Sequence, residues 1–311
     1  MILCCGEALI DMIPRPTIAG PSGFVPHAGG AVFNTAIALG RLGVETSMLT
    51  GLSTDLFGAV LDDALVQSHV NTALCIRSDR PTTLAFVRLE GGQATYTFYD
   101  ENSAGRMLDE ADLPKIPEAV NALFFGGISL AVEPCAEVYA DLLASQADRR
   151  LIMLDPNIRP GFIRDEKRYR ARLDRMLRDA DMVKVSDEDL DWILPGERSH
   201  RDKVAELHQH GISVVVVTRG ADGASAYTAS GLQVEVTGQK VDVVDTVGAG
   251  DTFNAGVLAS LQDAGQLTKT AIAEITEETL TKALEFGAKT AAVTVSRAGA
   301  NPPWRAELST P

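Results

Sequence analysis

The chain has 311 residues, 45% of them hydrophobic and 23% charged, with a formal charge of −14. It is long enough to bury a large core, and its acidity argues against broad binding to nucleic acid or anionic membrane. A few local Arg, Lys and backbone N–H groups could still hold a phosphate. Cys4, Cys5, Cys75 and Cys135 form neither a zinc pattern nor a CxxC pair and suit a reducing compartment. The opening MILCCGEALIDMIP carries two carboxylates and no positive stretch. No apolar run approaches the ~20 residues of a membrane helix, so a cytoplasmic protein without membrane contact is expected.

Apolar and amphipathic runs then alternate along the chain. ILCC (2–5) reads as a buried strand, 34–42 as a helix, SMLT (47–50) as a strand and 57–68 as a helix. Residues 72–100 break the pattern with three strand-like runs and no helix: TALCIR, TTLAFVRLE and ATYTFYD. Gly91-Gly92 joins the last two as a hairpin turn would. With part of 12–26, this block is expected to form a small antiparallel lid, although a static edge hairpin explains the same pattern. The alternation resumes with strands ALFF (122–125), LIML (151–154), MVKV (182–185) and VVVVT (214–218). Helical stretches at 135–147, 168–179, 201–210, 252–264 and 277–293 separate and follow them. This order predicts a three-layer α/β fold with a mostly parallel central sheet. No linker or repeat divides it, so one domain spanning 1–311 is expected, with its lid at about 12–26 and 72–100.

The densest chemistry lies in VDVVDTVGAGDTFNAGVLASL (241–261). A β-branched run ends at Asp245, a small-residue loop Gly248-Ala249-Gly250 follows, and Asp251 opens a helix. Glycines admit a close ligand, and the first helical turn leaves N–H groups free beside the positive end of the dipole. That combination suits a transferring phosphoryl group. A carboxylate beside it can take the proton of an attacking hydroxyl. Asp251 also suits a plain helix N-cap. A dinucleotide fingerprint is not supported, because Phe253 stands where its third glycine should be, and no P-loop is present.

The run Asp245-Thr246-Val247-Gly248-Ala249-Gly250-Asp251-Thr252-Phe253 resembles the C-terminal motif of the ribokinase-like (PfkB-type) carbohydrate kinases. The resemblance implies an ATP-dependent phosphotransferase acting on an alcohol group. It implies Asp251 as base and the amides of 248–251 (Gly248, Ala249, Gly250 and Asp251) as the site for γ-phosphoryl charge. Further landmarks follow the family's order. Gly6-Glu7-Ala8-Leu9-Ile10-Asp11 resembles its opening strand, which makes Asp11 a ligand of sugar hydroxyls. Gly29 and Gly30, followed by Asn34, resemble its substrate-binding glycine pair, and Asn34 also reads as a helix N-cap. Asp155-Pro156-Asn157-Ile158-Arg159 resembles the D-x-N-x-R stretch of fructokinases and ketodeoxygluconate kinases, which assigns Arg159 to the substrate site. A proline-stiffened surface loop is the other reading there.

By the same resemblance, Lys184, Thr218, Gly220 and Gly223 join Gly248 and Gly250 around the nucleotide. Asp189 stands where the family supports Mg²⁺ through water, with Ser186 replacing the usual Asn. Ala288 replaces an Asn expected near adenine. Asp245, Val247 and the 297–299 turn match a K⁺ site found in some members. Gly126-Gly127-Ile128-Ser129-Leu130 is most similar to bacterial fructokinases. Asp100 stands where fructokinases and ketodeoxygluconate kinases often carry Arg; a carboxylate there should repel a sugar acid, which tilts the reading towards a neutral sugar, fructose first. Phe98 and Phe86 are candidate lid contacts. The alternatives are a ketodeoxygluconate, ribose or nucleoside kinase, and a non-catalytic sugar or nucleotide sensor. A homodimer could form through the lid.

Overall fold

The structure, a computed structural model, describes residues 1–18, 20–90 and 93–308. β1 (Ile2–Cys5) is buried at every position, as a strand covered on both faces must be. The chain leaves the main sheet through β2 (Leu9–Pro16) and β3 (Ser22–Gly29) before entering α1 (Ala31–Arg41). Next come β4 (Thr46–Leu49), β5 (Gly51–Ser53), α2 (Leu56–Gln67), β6 (Val70–Asn71) and β7 (Ile76–Ser78). The hairpin strands β8 (Leu84–Glu90) and β9 (Gln93–Tyr99) follow. The alternation resumes with β10 (Ala122–Gly126), α3 (Cys135–Gln146), β11 (Leu151–Asp155), α4 (Glu166–Arg178) and β12 (Met182–Ser186). α5 (Asp187–Ile193), α6 (His200–His208), β13 (Val214–Thr218), β14 (Ala224–Thr228) and β15 (Gln233–Val236) come next. The chain ends with α7 (Ala249–Asp263), α8 (Lys269–Ala273), α9 (Glu277–Val295) and α10 (Arg305–Leu308).

The main sheet has the order β15-β14-β13-β12-β11-β10-β1-β4-β6. All its pairings from β13 to β6 are parallel, and only the β13–β14 and β14–β15 pairings are antiparallel. Side chains alternate between two cores, as the period of a strand requires. Ile2 and Cys4 point into a core with Phe33, Phe253 and Leu258, under α1 and α7. Leu3 and Cys5 point into the other, with Tyr139, Leu173 and Leu207 of α3, α4 and α6. The predicted three-layer α/β architecture is therefore present. β1 pairs with β4 on one side and β10 on the other, so the strand order reverses there. A reversal of that kind opens a crevice at the carboxyl ends of the strands.

A separate four-stranded sheet has the order β3-β2-β8-β9 and carries both arms of the expected lid. It reaches further back than 12–26, to Leu9 and Gly29. The run TALCIR does not join it. β7 pairs instead with β5, because the Ile76 amide donates to the Thr50 carbonyl beside the main sheet. The Gly91-Gly92 turn lies outside the described residues, while the antiparallel register of its flanking strands runs from Leu84↔Tyr99 to Glu90↔Gln93. The β-branched run before Asp245 is not a strand. The amides of Val244 and Asp245 both donate to the Val295 carbonyl, one of the orphan acceptors at the end of α9. Among the described residues no helix is long and apolar enough to cross a membrane, and all four cysteines are free.

Asp55 ties the main body to the segment entering β8. Its carboxylate caps α2 through the Gly58 amide at 2.8 Å and accepts the Thr82 amide at 2.9 Å and hydroxyl at 2.7 Å. Asp55→Ala should lower the unfolding free energy by about 1–2 kcal/mol, the usual worth of an N-cap, in a urea titration.

Candidate active site

Side chains at the carboxyl ends of β1, β10, β11 and β12 meet the start of α7 and the inner face of the small sheet around a cleft of about 830 Å³. Asp11, Gly30, Asn34, Phe98, Arg159, Lys184 and residues 246–251 all line it. Residues 240 positions apart in sequence thus converge on one space.

The start of α7 is a glycine device. Gly248 is the N-cap, with φ 77, and a Cβ there would come 2.7 Å from Ala300. Only glycine meets both demands. Asp251 is the third residue of the helix and its side chain makes no cap bond. The N-cap reading of Asp251 therefore fails by three positions. The amide of Ala249 donates to Thr246 at 3.3 Å, while no described residue accepts from the amides of Gly248, Gly250 and Asp251. These three remain for an anion, so of the amides the motif implied only that of Ala249 is a weaker candidate.

Asp251 is 8% exposed, and its Oδ2 accepts the Asn34 side-chain amide at 2.9 Å. Burial pushes its carboxyl up to about 7. The Asn34 hydrogen bond and Lys184 pull it down, and Asp155 and Glu7 push it up. A carboxylate poised near neutrality is well matched to proton transfer at physiological pH. Asn34 is the fourth residue of α1, not its cap, which is Gly30. Its amide faces the cleft because α1 lies against α7, where Thr35 Oγ1 also donates to the Asp251 carbonyl at 3.3 Å.

The opposite wall comes from the small sheet. Its register sets Asp11 opposite Ala85 and Ala85 opposite Phe98, so these three share the inner face. Burial pushes the Asp11 carboxyl up to about 6. Gly29 leaves room for it, since a Cβ there would fall 2.3 Å from Asp11 Oδ2. Phe98 stacks edge-on against Phe162 at 4.1 Å, which joins the small sheet to the loop after β11. Phe86 lies on the other face, between Phe24 and Tyr99, and does not line the cleft.

Below the anion loop lies a buried polar cluster that motif reading only partly found. Asp155 Oδ2 accepts Lys184 Nζ at 3.0 Å and Asn254 Nδ2 at 2.7 Å. The ammonium sits where a Cβ on Gly250 would be 3.2 Å away, so its charge reaches the loop from beneath. Asn254, one turn along α7 from Asp251, was hidden in an apolar helix pattern. Asp155 Oδ1 accepts the Asn157 amide at 3.2 Å, shaping the loop that presents Arg159.

Glu7, flanking the anticipated Asp11, also lines the cleft and was not anticipated as a site residue. Its two carboxylate oxygens accept the amides of Ala31 at 2.9 Å and Ser129 at 3.2 Å. No spacing rule marks such a residue, because its partners are backbone groups far away in sequence.

Several expected residues are not brought to the cleft. Asp189 is buried, and its Oδ1 accepts the Ile158 amide at 3.0 Å. Thr218 Oγ1 donates to the Val185 carbonyl at 3.4 Å, and Gly223 packs where a Cβ would clash with the Val236 carbonyl. Gly220 begins the short turn between them. Thr218 ends β13 and the two glycines lie in the connection to β14, where Gly223 packs against Val236 and Gly238 beside a second opening. That opening is lined by 235–240, Lys282, Phe286, Ala288 and Lys289. Asp245 spends its carboxylate on the amides of Val247 and Gly299, at 3.0 and 2.9 Å. Asp100 is buried and paired with Arg106 at 3.1 Å, so its charge is largely offset and its repulsion of a sugar acid is weaker than expected.

A carboxylate and free amides at a glycine-capped helix, facing a cleft walled by the small sheet, match the sugar-kinase class of phosphotransferases that the glycine motif implied. The chain belongs to the pfkB family of carbohydrate kinases, whose model matches residues 1–307. It is 54% identical over 281 residues to the fructokinase of Rhizobium leguminosarum bv. trifolii, covering 90% of this chain and 85% of that one. A Xylella fastidiosa fructokinase structure with bound ATP superposes with a TM-score of 0.88 at 30% identity, covering 99% of this chain and 97% of that one. A fructokinase double mutant from Vibrio cholerae O395, in its fructose, ADP and potassium ion bound form, gives 0.83 at 26% identity, covering 96% and 93%.

Asp155→Ala would leave the buried Lys184 ammonium without its carboxylate. Loss of one partner of a buried pair costs about 3–5 kcal/mol, so chemical denaturation should show a loss of that size.

Proposed function

We propose that this chain transfers the γ-phosphoryl group of ATP to the primary hydroxyl of D-fructose, giving fructose 6-phosphate, with Asp251 as general base. One observation carries the reading. The buried carboxylate of Asp251, raised to about 7, stands between the unpaired first-turn amides of α7 and the Asp11 wall of one cleft.

In this mechanism the sugar lies between Asp11, Gly29, Gly30, Asn34 and the Phe98 face of the lid. A carboxylate can accept hydrogen bonds from neighbouring hydroxyls, which is the role given to Asp11. The γ-phosphate rests over the amides of Gly250 and Asp251, with Lys184 below and Arg159 at the side. Asp251 accepts the hydroxyl proton as oxygen attacks phosphorus in line. The small sheet acts as a lid that excludes water, the competing acceptor. The nucleotide's base end extends towards the second opening, past Thr218, Gly220 and Gly223.

ATP acts with a divalent metal, read here as Mg²⁺. No group of three or more His, Cys, Asp or Glu ligands gathers among the described residues. The ion therefore fits as a hydrated partner of the phosphates, the usual habit of Mg²⁺, with Asp189 no closer than a second layer. K⁺ would sit at the loop that Asp245 ties to 297–299. The 54% identity to a fructokinase supports fructose over ketodeoxygluconate more firmly than Asp100 does. The homodimer contact is assigned to the outer lid face, where Phe24 and Tyr99 are about half exposed. Four free cysteines suit the cytoplasm.

Asp251→Asn should cut kcat by ~10²–10⁴-fold with fructose binding retained, since that is the usual worth of a general base. In the parent enzyme kcat/KM should fall about tenfold per pH unit below about 7, as the Asp251 carboxyl takes up a proton. Near-normal turnover of the variant would reduce Asp251 to a structural residue. A coupled ADP-release assay should rank fructose above ketodeoxygluconate, ribose and nucleosides in kcat/KM, and the reverse order would reject the substrate assignment.

A further inference from the structure

Glu7 lies at the carboxyl end of β1, where the strand order reverses, and α1 and the turn after β10 approach it from separate directions. The Ala31 amide is the first of α1, and the Ser129 amide lies in the turn after β10. One carboxylate oxygen accepts each, at 2.9 and 3.2 Å. Two glycines make room for Glu7. Gly127 has φ 70, and a Cβ on it would lie 2.0 Å from Glu7 Oε1. Gly30 has φ 111, and a Cβ there would lie 2.9 Å from the Glu7 carbonyl. Ser129 closes the turn with a 2.7 Å bond from its hydroxyl to the Gly126 carbonyl.

We infer that Glu7 is a positioning residue for the phosphoryl-transfer site: it staples the start of α1 to the turn after β10 and thereby sets Gly30, Asn34 and Ile128 around the sugar. The effect reaches the base through α1. Asn34 is one helical turn from Ala31, and its amide is the hydrogen bond that holds Asp251. A shift of α1 along its axis would move the Asn34 donor and the Gly30 wall together. A carboxylate suits the task, because both oxygens accept and the helix start favours negative charge. Glutamine would set an NH₂ against one of the two amides.

Glu7 also adds to the negative charge around Asp251, which faces Asp155 from β11, Lys184 from β12, the neutral Asn34 from α1 and, across the cleft, Asp11 from β2. Removing that charge eases ionisation of the base, whereas loosening the Asn34 bond hinders it, so the two effects oppose each other in Glu7→Gln. This inference rests on the cleft being the fructose site and Asp251 its base.

Two variants separate position from charge. Glu7→Gln removes the charge and one acceptor. Ala31→Pro removes one donor and leaves the charge. Proline is tolerated at the first position of a helix, and the extended ψ of 138 at Gly30 suits a residue before proline. Steady-state kinetics should show the fructose KM raised about tenfold or more in both, as expected for a bond to a charged group, with the ATP KM within about twofold. The acid limb of kcat/KM should move to higher pH in Ala31→Pro, which keeps the charge of Glu7 and loosens the Asn34 bond that pulls the Asp251 carboxyl down. The inference is overturned if Ala31→Pro keeps a fructose KM within about twofold of the parent. It is equally overturned if both substrates' KM values rise together, or if the acid limb of Ala31→Pro stays in place. Ala31→Pro decides the matter should Glu7→Gln not fold. Failure of the underlying function reads differently, as a parent enzyme that does not phosphorylate fructose or an Asp251→Asn variant that turns over normally.

Discussion

A single hydrogen bond joins residues 217 apart in sequence: Asn34 donates its side-chain amide to Asp251 at 2.9 Å. The rest of the site depends on where that bond holds the carboxylate. Asp251 lies in the first turn of α7, where free amides and the helix dipole favour negative charge. It is also buried, and burial favours the neutral acid. Burial wins by enough to bring the group to about 7 and no further, because Asn34 and Lys184 oppose it. A fully exposed carboxylate would ionise too readily to be a good base. One buried without partners would stay protonated.

The same economy of charge runs under the loop. Asp155 gathers Lys184 and Asn254 on one oxygen and shapes the Arg159 loop with the other. Buried ions are tolerated only when paired and hydrogen-bonded, and this cluster meets that condition on each side of the carboxylate. The result is positive charge below the anion site and a rigid floor beneath the base. The small sheet completes the enclosure from the other side, with Asp11 and Phe98 on its inner face.

Much of this was legible in sequence because it repeats locally. The strand–helix alternation gave the layers, and the glycine-rich run before Phe253 marked the anion loop. Helix starts were misjudged by three residues at both glycine loops, since glycine hides the first turn from an apolar pattern: α1 begins at Ala31 and α7 at Ala249. That shift converts Asp251 and Asn34 from caps into residues that face the cleft. TALCIR has strand propensity, but propensity names no partner, and its partner proved to be β5. Glu7 and Asn254 were missed for a related reason. Their partners are backbone amides and a carboxylate brought near only by the fold.

The most direct test of the central claim is a crystal structure of the enzyme with fructose and a non-hydrolysable ATP analogue. The account predicts the sugar's primary hydroxyl within hydrogen-bond reach of an Asp251 carboxylate oxygen, in line with a γ-phosphorus seated on the Gly250 and Asp251 amides. A sugar bound away from Asp251, or a γ-phosphate held elsewhere than the start of α7, would contradict it.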